Sequence, residues 1–212
     1  MVLVLALALA GCGTHKVATP GEARLENEDF LAVTAALVAA APQVQSEVAA
    51  AKAAWPAILG GVRRGPGSGT RARVRLAAER AAQVQLPTLF TESGAAQLTG
   101  PATRLAGRFR SFQTLGSRSW QLLDSYLEQI EHGSRSEARF ARQNLPLYVE
   151  SIYDAHFTIS EIGKQLLAGY KTLGGAKTFG GSLTPSRIQQ LADAYSAERI
   201  QLSPKERVKL GT

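Results

Sequence analysis

The stretch Tyr148-Val-Glu-Ser-Ile152-Tyr-Asp-Ala155-His-Phe-Thr-Ile159-Ser-Glu-Ile162-Gly-Lys-Gln-Leu166-Leu-Ala-Gly169-Tyr-Lys-Thr-Leu173 carries the cleanest repeat in the chain. From Tyr148 onward, apolar or small residues fall at 152, 155, 159, 162, 166, 169 and 173, in steps of four and three without a slip. A strand alternates every second residue, so this spacing specifies a helix with one continuous apolar face. A seven-residue repeat also favours left-handed packing against neighbouring helices.

Working outward, the same pattern recurs. Phe30, Val33, Leu37, Ala41, Val44, Val48, Ala51, Trp55, Ile58 and Val62 trace one stripe along a long, Ala-rich helix. Pro42 and Pro56 fall inside it and are expected to kink or interrupt it. Gly60-Gly61 is expected to end it, with 63–69 as an exposed loop. A second helix starts near Thr70, where Val74, Ala77, Ala81 and Val84 share a face until Pro87. Leu89, Phe90 and Leu98 suggest a short helical piece, and Gly100-Pro101 opens a third long helix. Leu105, Phe109, Phe112, Leu115, Leu123, Tyr126 and Ile130 are spaced for one side of that helix. His132-Gly-Ser134 makes a tight link to the helix of the opening stretch. Beyond it, 174–182 reads as a flexible glycine-rich loop. Thr184-Pro185 supplies an N-cap and a first-turn proline for a short helix carrying Ile188, Leu191 and Tyr195. Ser203-Pro-Lys-Glu206 has the capping-box pattern of one more turn. These elements predict an all-α fold: an elongated antiparallel four-helix bundle with one or two short C-terminal helices, in a single domain over 22–212.

The chain opens Met1-Val-Leu-Val-Leu-Ala-Leu-Ala-Leu9-Ala-Gly-Cys12, and Cys12 is its one cysteine. The apolar run is far shorter than the roughly 20 residues that span a bilayer as a helix. An apolar run closed by small residues is the grammar of a secretory signal. Leu9-Ala10-Gly11-Cys12 resembles the lipobox of bacterial lipoproteins. That resemblance implies a signal peptide over 1–11 that is removed, and palmitate-type acylation of Cys12. It further implies a protein anchored in the cell membrane or outer membrane and facing away from the cytoplasm. Gly13 stands where the family places Asp for retention in the inner membrane. On this reading 12–21 is the lipidated cysteine and a short tether. With Cys12 acylated, the domain has no thiol for a disulfide, a nucleophile or a thiolate metal site.

Hydrophobic residues make up 45% and charged residues 19%, a balance that excludes disorder over roughly 200 residues. The formal charge is +7. Locally, Arg63, Arg64, Arg71, Arg73, Arg75 and Arg80 face only Glu79, and Arg104, Arg108, Arg110 and Arg118 run without an acid between them. Such stretches attract anionic headgroups, wall polymers or acidic partner proteins. They equally serve as solvated helix faces. Arg63, Arg64, Arg71, Arg73 and Arg75 are the candidate anionic-partner surface; an envelope location argues against nucleic acid.

Catalytic chemistry has little to draw on. Of three histidines, His15 lies in the tether and His132 at a helix end, where an imidazolium favours the dipole. His156 flanks the stripe and reads as a core histidine, or alternatively as a ligand or an envelope enzyme's base beside Asp154. Carboxylate-bridged metal bundles need Glu-x-x-His pairs, but Tyr153 and Gln129 precede His156 and His132 by three. No metal and no cofactor is expected. Gly169 to Thr178 misses phosphate-loop spacing, since Gly175 occupies the lysine position, and it follows a helix instead of a strand. No Gly-x-Ser-x-Gly elbow is present. Glu47, Asp124 and Glu150 offer carboxylates on distant helices, with nothing to set them apart from surface acids. Aromatic residues concentrate on the third and fourth helices. They either fill a core or line a cavity for an apolar ligand such as a lipid or quinone, with Phe109, Phe112, Tyr148, Tyr153 and His156 as candidate lining. The leading expectation is a membrane-tethered, non-enzymatic binding or scaffold module with a basic surface. A small-ligand carrier and an enzyme using His156 are the alternatives.

Overall fold

The computed structural model describes residues 19–64, 67, 69–196 and 200, without the side chains of 61–64. Residues 1–11, Cys12 and the 203–206 turn lie outside them, as do the side chains of Arg63 and Arg64. The described chain is an elongated, all-α, helix-rich fold with short helices towards its C-terminus.

Helix α1 runs Pro20–Arg64. Its start is two residues earlier than the sequence predicts, because Thr19 caps it: the Thr19 hydroxyl accepts from the Glu22 amide (3.3 Å), and the Thr19 amide donates back to Glu22 Oε2 (2.8 Å). Pro20 then occupies the first helical position, where its missing N–H costs nothing. Neither Pro42 nor Pro56 interrupts α1, and Gly60-Gly61 does not end it. The physical reason lies in which side they face. Both prolines are exposed, and the residues four before them, Val38 and Lys52, whose carbonyls lose their helical N–H donor, are exposed as well. The opposite face stays buried from Phe30 to Ile58. By length and composition Pro20–Gly60 could cross a membrane; here its apolar side packs on other helices.

Gly69, in the left-handed region (φ 84°), turns the chain into α2, Thr70–Gln83. A 3-10 turn at Thr88–Phe90 buries Phe90, and Thr91 caps the single-turn α3, Glu92–Ala95. Asp29 on α1 accepts from both the amide and the hydroxyl of Thr99 (2.9 and 2.6 Å), pinning the entry to α4, Gly100–His132. After Gly133, Ser134 and Glu137 form a reciprocal capping box that opens α5, Arg135–Thr172. The opening stretch is thus the C-terminal two thirds of α5. The 174–182 segment is not a plain loop. Single-turn α6, Ala176–Phe179, tucks Phe179 against Tyr170 and Phe30, with ring centroids 5.6 Å apart in both contacts. Last comes α7, Pro185–Ser196, capped by Thr184 as its sequence predicts.

α4 and α5 are antiparallel partners along their length. Phe112 meets His156, Gly116 meets Ala155 and Tyr126 meets Tyr148. At about 1.5 Å per residue these two helices are about 50 and 57 Å long. α1 lies over α2, α4 and α5; α2 packs on α4, and α7 on α5. The core divides into two apolar clusters. One gathers Phe30, Leu37, Phe90, Phe109, Phe112, Ile159 and Tyr195; the other gathers Trp55, Ile58, Val74, Trp120, Leu123, Val149 and Ile152.

Gly163 shows how tightly α7 sits. A Cβ there would overlap Ser196 Oγ and the Ala192 carbonyl oxygen, one of them backbone that cannot swing away. Gly163→Val should therefore lift α7 off α5, at a cost of about 1–3 kcal/mol. Hydrogen exchange would show α7 amides losing protection while those of α4 keep theirs. Unchanged α7 protection would contradict this packing.

Candidate functional site

The stripe of α1 carries one acid. Glu47 sits three residues after Val44 and four before Ala51, both buried apolar positions, so the helix aims its carboxyl inward. His156 on α5, between Ile152 and Ile159, is aimed inward in the same way. The two meet at the boundary of the apolar clusters. Glu47 is 1% exposed and His156 fully buried, with His156 Nε2 3.2 Å from Glu47 Oε1. Trp120 of α4 donates its indole N–H to the same oxygen at 2.9 Å. Phe112 stands edge-on to the imidazole, centroids 5.9 Å apart.

This cluster is under-satisfied. Glu47 Oε2 and His156 Nδ1 have no hydrogen-bond partner, and the Nε2–Oε1 approach is close in distance but off the line a hydrogen bond needs. The contact is an ion pair when His156 holds a proton. In low-dielectric surroundings such a pair is strongly felt, yet either member alone is costly. A crevice between α1, α2 and α4 reaches Glu47 past Gln113, Gly116 and Ser117, and it is too narrow to admit a water molecule. Carboxyl and imidazole together are acid–base chemistry, but here they are sealed from any substrate.

The five candidate lining residues do not form one site. Phe109, Phe112 and His156 are buried side by side, their rings filling the space between α4 and α5. Tyr148 lies towards the α4–α5 turn, its ring tilted 31° to that of Tyr126 with centroids 5.0 Å apart and the two hydroxyls 3.4 Å apart. That hydrogen bond, with burial, pushes the Tyr126 phenol above its usual range. Tyr153 is half-buried beside the Trp55–Trp120 cluster. Near the same turn, Phe140 and Leu147 are more than half exposed.

Two of the five candidate surface arginines, Arg71 and Arg75, meet acids of α4. Arg71 reaches across to α4, with Nη2 2.9 Å from Glu128, Nη1 3.5 Å from Glu131 and Nε 3.7 Å from Asp124. Arg75 Nε lies 3.6 Å from the other oxygen of Asp124. Both charges are taken up internally. Arg73 is exposed, and Arg63 and Arg64 lie outside the described side chains. Arg104, Arg108 and Arg118 of α4 are exposed and form no ion pair among the described residues. Asp124 and Glu150 are not brought to Glu47's cluster. Sequence reasoning passed over the Glu47–Trp120 contact, although an acid on an apolar stripe was the signal that could have found it.

Among the described residues no three His, Cys, Asp or Glu side chains converge where a metal could sit. No protein-family model, curated protein or solved structure matches the chain.

The buried pair makes a sharp prediction. Glu47→Leu alone leaves His156 and the Trp120 N–H unpaired and should cost about 3–5 kcal/mol in urea unfolding; His156→Leu alone should cost a similar amount. The double variant should recover the part of that loss due to the stranded partner of the pair, while the Trp120 N–H stays unpaired and keeps about 1–3 kcal/mol of it. Additive losses would show that the two side chains do not depend on each other.

Proposed function

We propose that this chain is a lipid-anchored cell-envelope protein, held in a membrane by an acylated Cys12. Its α1, α2, α4 and α5 would form an antiparallel four-helix bundle acting as a non-enzymatic binding module. The observation that carries the reading is the lone cysteine at the end of Leu9-Ala10-Gly11, directly after an apolar run. The capped start of α1 adds support. Only residues 13–18 separate Cys12 from Thr19, so even an extended linker spans roughly 25 Å. The domain would stay close to the bilayer, with the α1 N-terminus towards it.

Two features favour binding over catalysis. The Glu47–His156 pair is shut away from solvent, and the rings between α4 and α5 occupy the interior. What the domain presents outward is charge. Arg104, Arg108 and Arg118 lie within one side of α4, at helical spacing and with no ion pair among the described residues. They suit an anionic polymer of the envelope or an acidic face of a partner protein.

Metabolic labelling with a palmitate analogue tests the anchor. The wild-type chain should be labelled and sediment with membranes; Cys12→Ser should lose the label and appear in the soluble fraction. A wild-type chain that takes up no label would end the reading.

A further inference from the structure

We propose that the groove between α1 and α7 binds a single acyl chain bearing an anionic headgroup, a site separate from the core and independent of any anchor at Cys12. The groove has a volume of about 570 Å³, within the roughly 300–1,000 Å³ of small-molecule sites. Leu31, Ala35 and Val38 form one wall and Leu183, Leu191 and Ala194 the other. Small residues at 35 and 194 keep the trough open, while Val38 is more than half exposed.

Its lining is mainly apolar. The Thr34 hydroxyl donates its proton to its own helix at the Phe30 carbonyl (2.7 Å). Besides Arg187, the polar side chains of the lining are Thr34 and the exposed Ser182 and Gln190. The aliphatic side chains leave a surface suited to methylene groups, with few polar groups to replace the water of a wholly polar ligand.

One end differs. Arg187 is the only charged side chain lining the groove, is exposed, and has no ion pair among the described residues. It stands in the first turn of α7, where the helix dipole adds partial positive charge. An apolar trough with one unneutralised cation at a helix start matches a chain with a carboxylate or phosphate head. It favours that ligand over a neutral amphiphile, and more strongly over a cationic one.

The test is calorimetric titration of the full chain carrying Cys12→Ser, which has no acyl group of its own, with dodecanoate below its micellar threshold. The expected result is saturable binding of one equivalent. Ala35→Trp and Val38→Trp, both at exposed positions, should abolish it while circular dichroism stays unchanged. Arg187→Glu should weaken dodecanoate by about tenfold or more and leave neutral dodecanol unaffected. No saturable binding, or full affinity in both tryptophan variants, would overturn the site. Equal affinity for dodecanoate and dodecyltrimethylammonium would overturn the anionic head. Because Cys12 is absent, none of these outcomes depends on lipidation.

Discussion

How near α5 lets its neighbours come sets the rest of the structure. On its buried side α5 carries small residues where neighbours press in. Ala155 lies opposite Gly116 of α4, Gly163 lies under the Ala192 carbonyl of α7, and Gly169 lies under Phe30 of α1 and Pro101 of α4. Between these points Ile152, Ile159, Ile162 and Leu166 are fully buried. Interiors packed this way have no spare volume, so the helices cannot slide past one another without opening voids. The groove lined by α7 and α1 lies outside that interior, where a short helix rides beside a long one.

The apolar seam between α1 and α5 is broken once on each helix, by Glu47 and His156, and the two breaks face each other. Trp120 adds a third element from α4. Hydrophobic contact is non-directional and tolerates a shift of one helical turn. A buried carboxyl does not. Sliding α1 by one turn would bury the carboxyl and the imidazole apart, at several kcal/mol for the stranded polar groups. The polar contact thereby ties one alignment of α1, α4 and α5 to the fold.

Much of this architecture was legible because local chemistry decides it. The four–three stripe of α5, the Thr184 cap and the Gly100-Pro101 start depend on residues close in sequence. The misreadings share a different origin. Pro42 and Pro56 are breakers by local rules, yet α1 continues through both, on its exposed side. The glycines of 174–182 signal a loop, yet Phe179 finds Phe30 some 150 positions earlier in the chain and orders a helical turn. The aromatic residues of α4 and α5 were legible as a group. Whether they line or fill a space depends on how closely two backbones approach, which Gly116 and Ala155 set together.

Charge shows the same limit in a form that bears on function. Counted along the sequence, Arg71 and Arg75 belong to a basic run. Folding places α2 beside the acidic half of α4, so Asp124, Glu128 and Glu131 surround the Arg71 guanidinium within 4 Å. With Arg71 and Arg75 set against three carboxylates the cluster carries one net negative charge and does not attract an approaching anion. The screening length of about 8 Å in physiological salt prevents the separate charges from being felt further out. On α4 itself, acids occupy the half that faces α2, and the other half carries Arg104, Arg108 and Arg118, which form no ion pair among the described residues. The surplus that the composition records is therefore redistributed by tertiary contact.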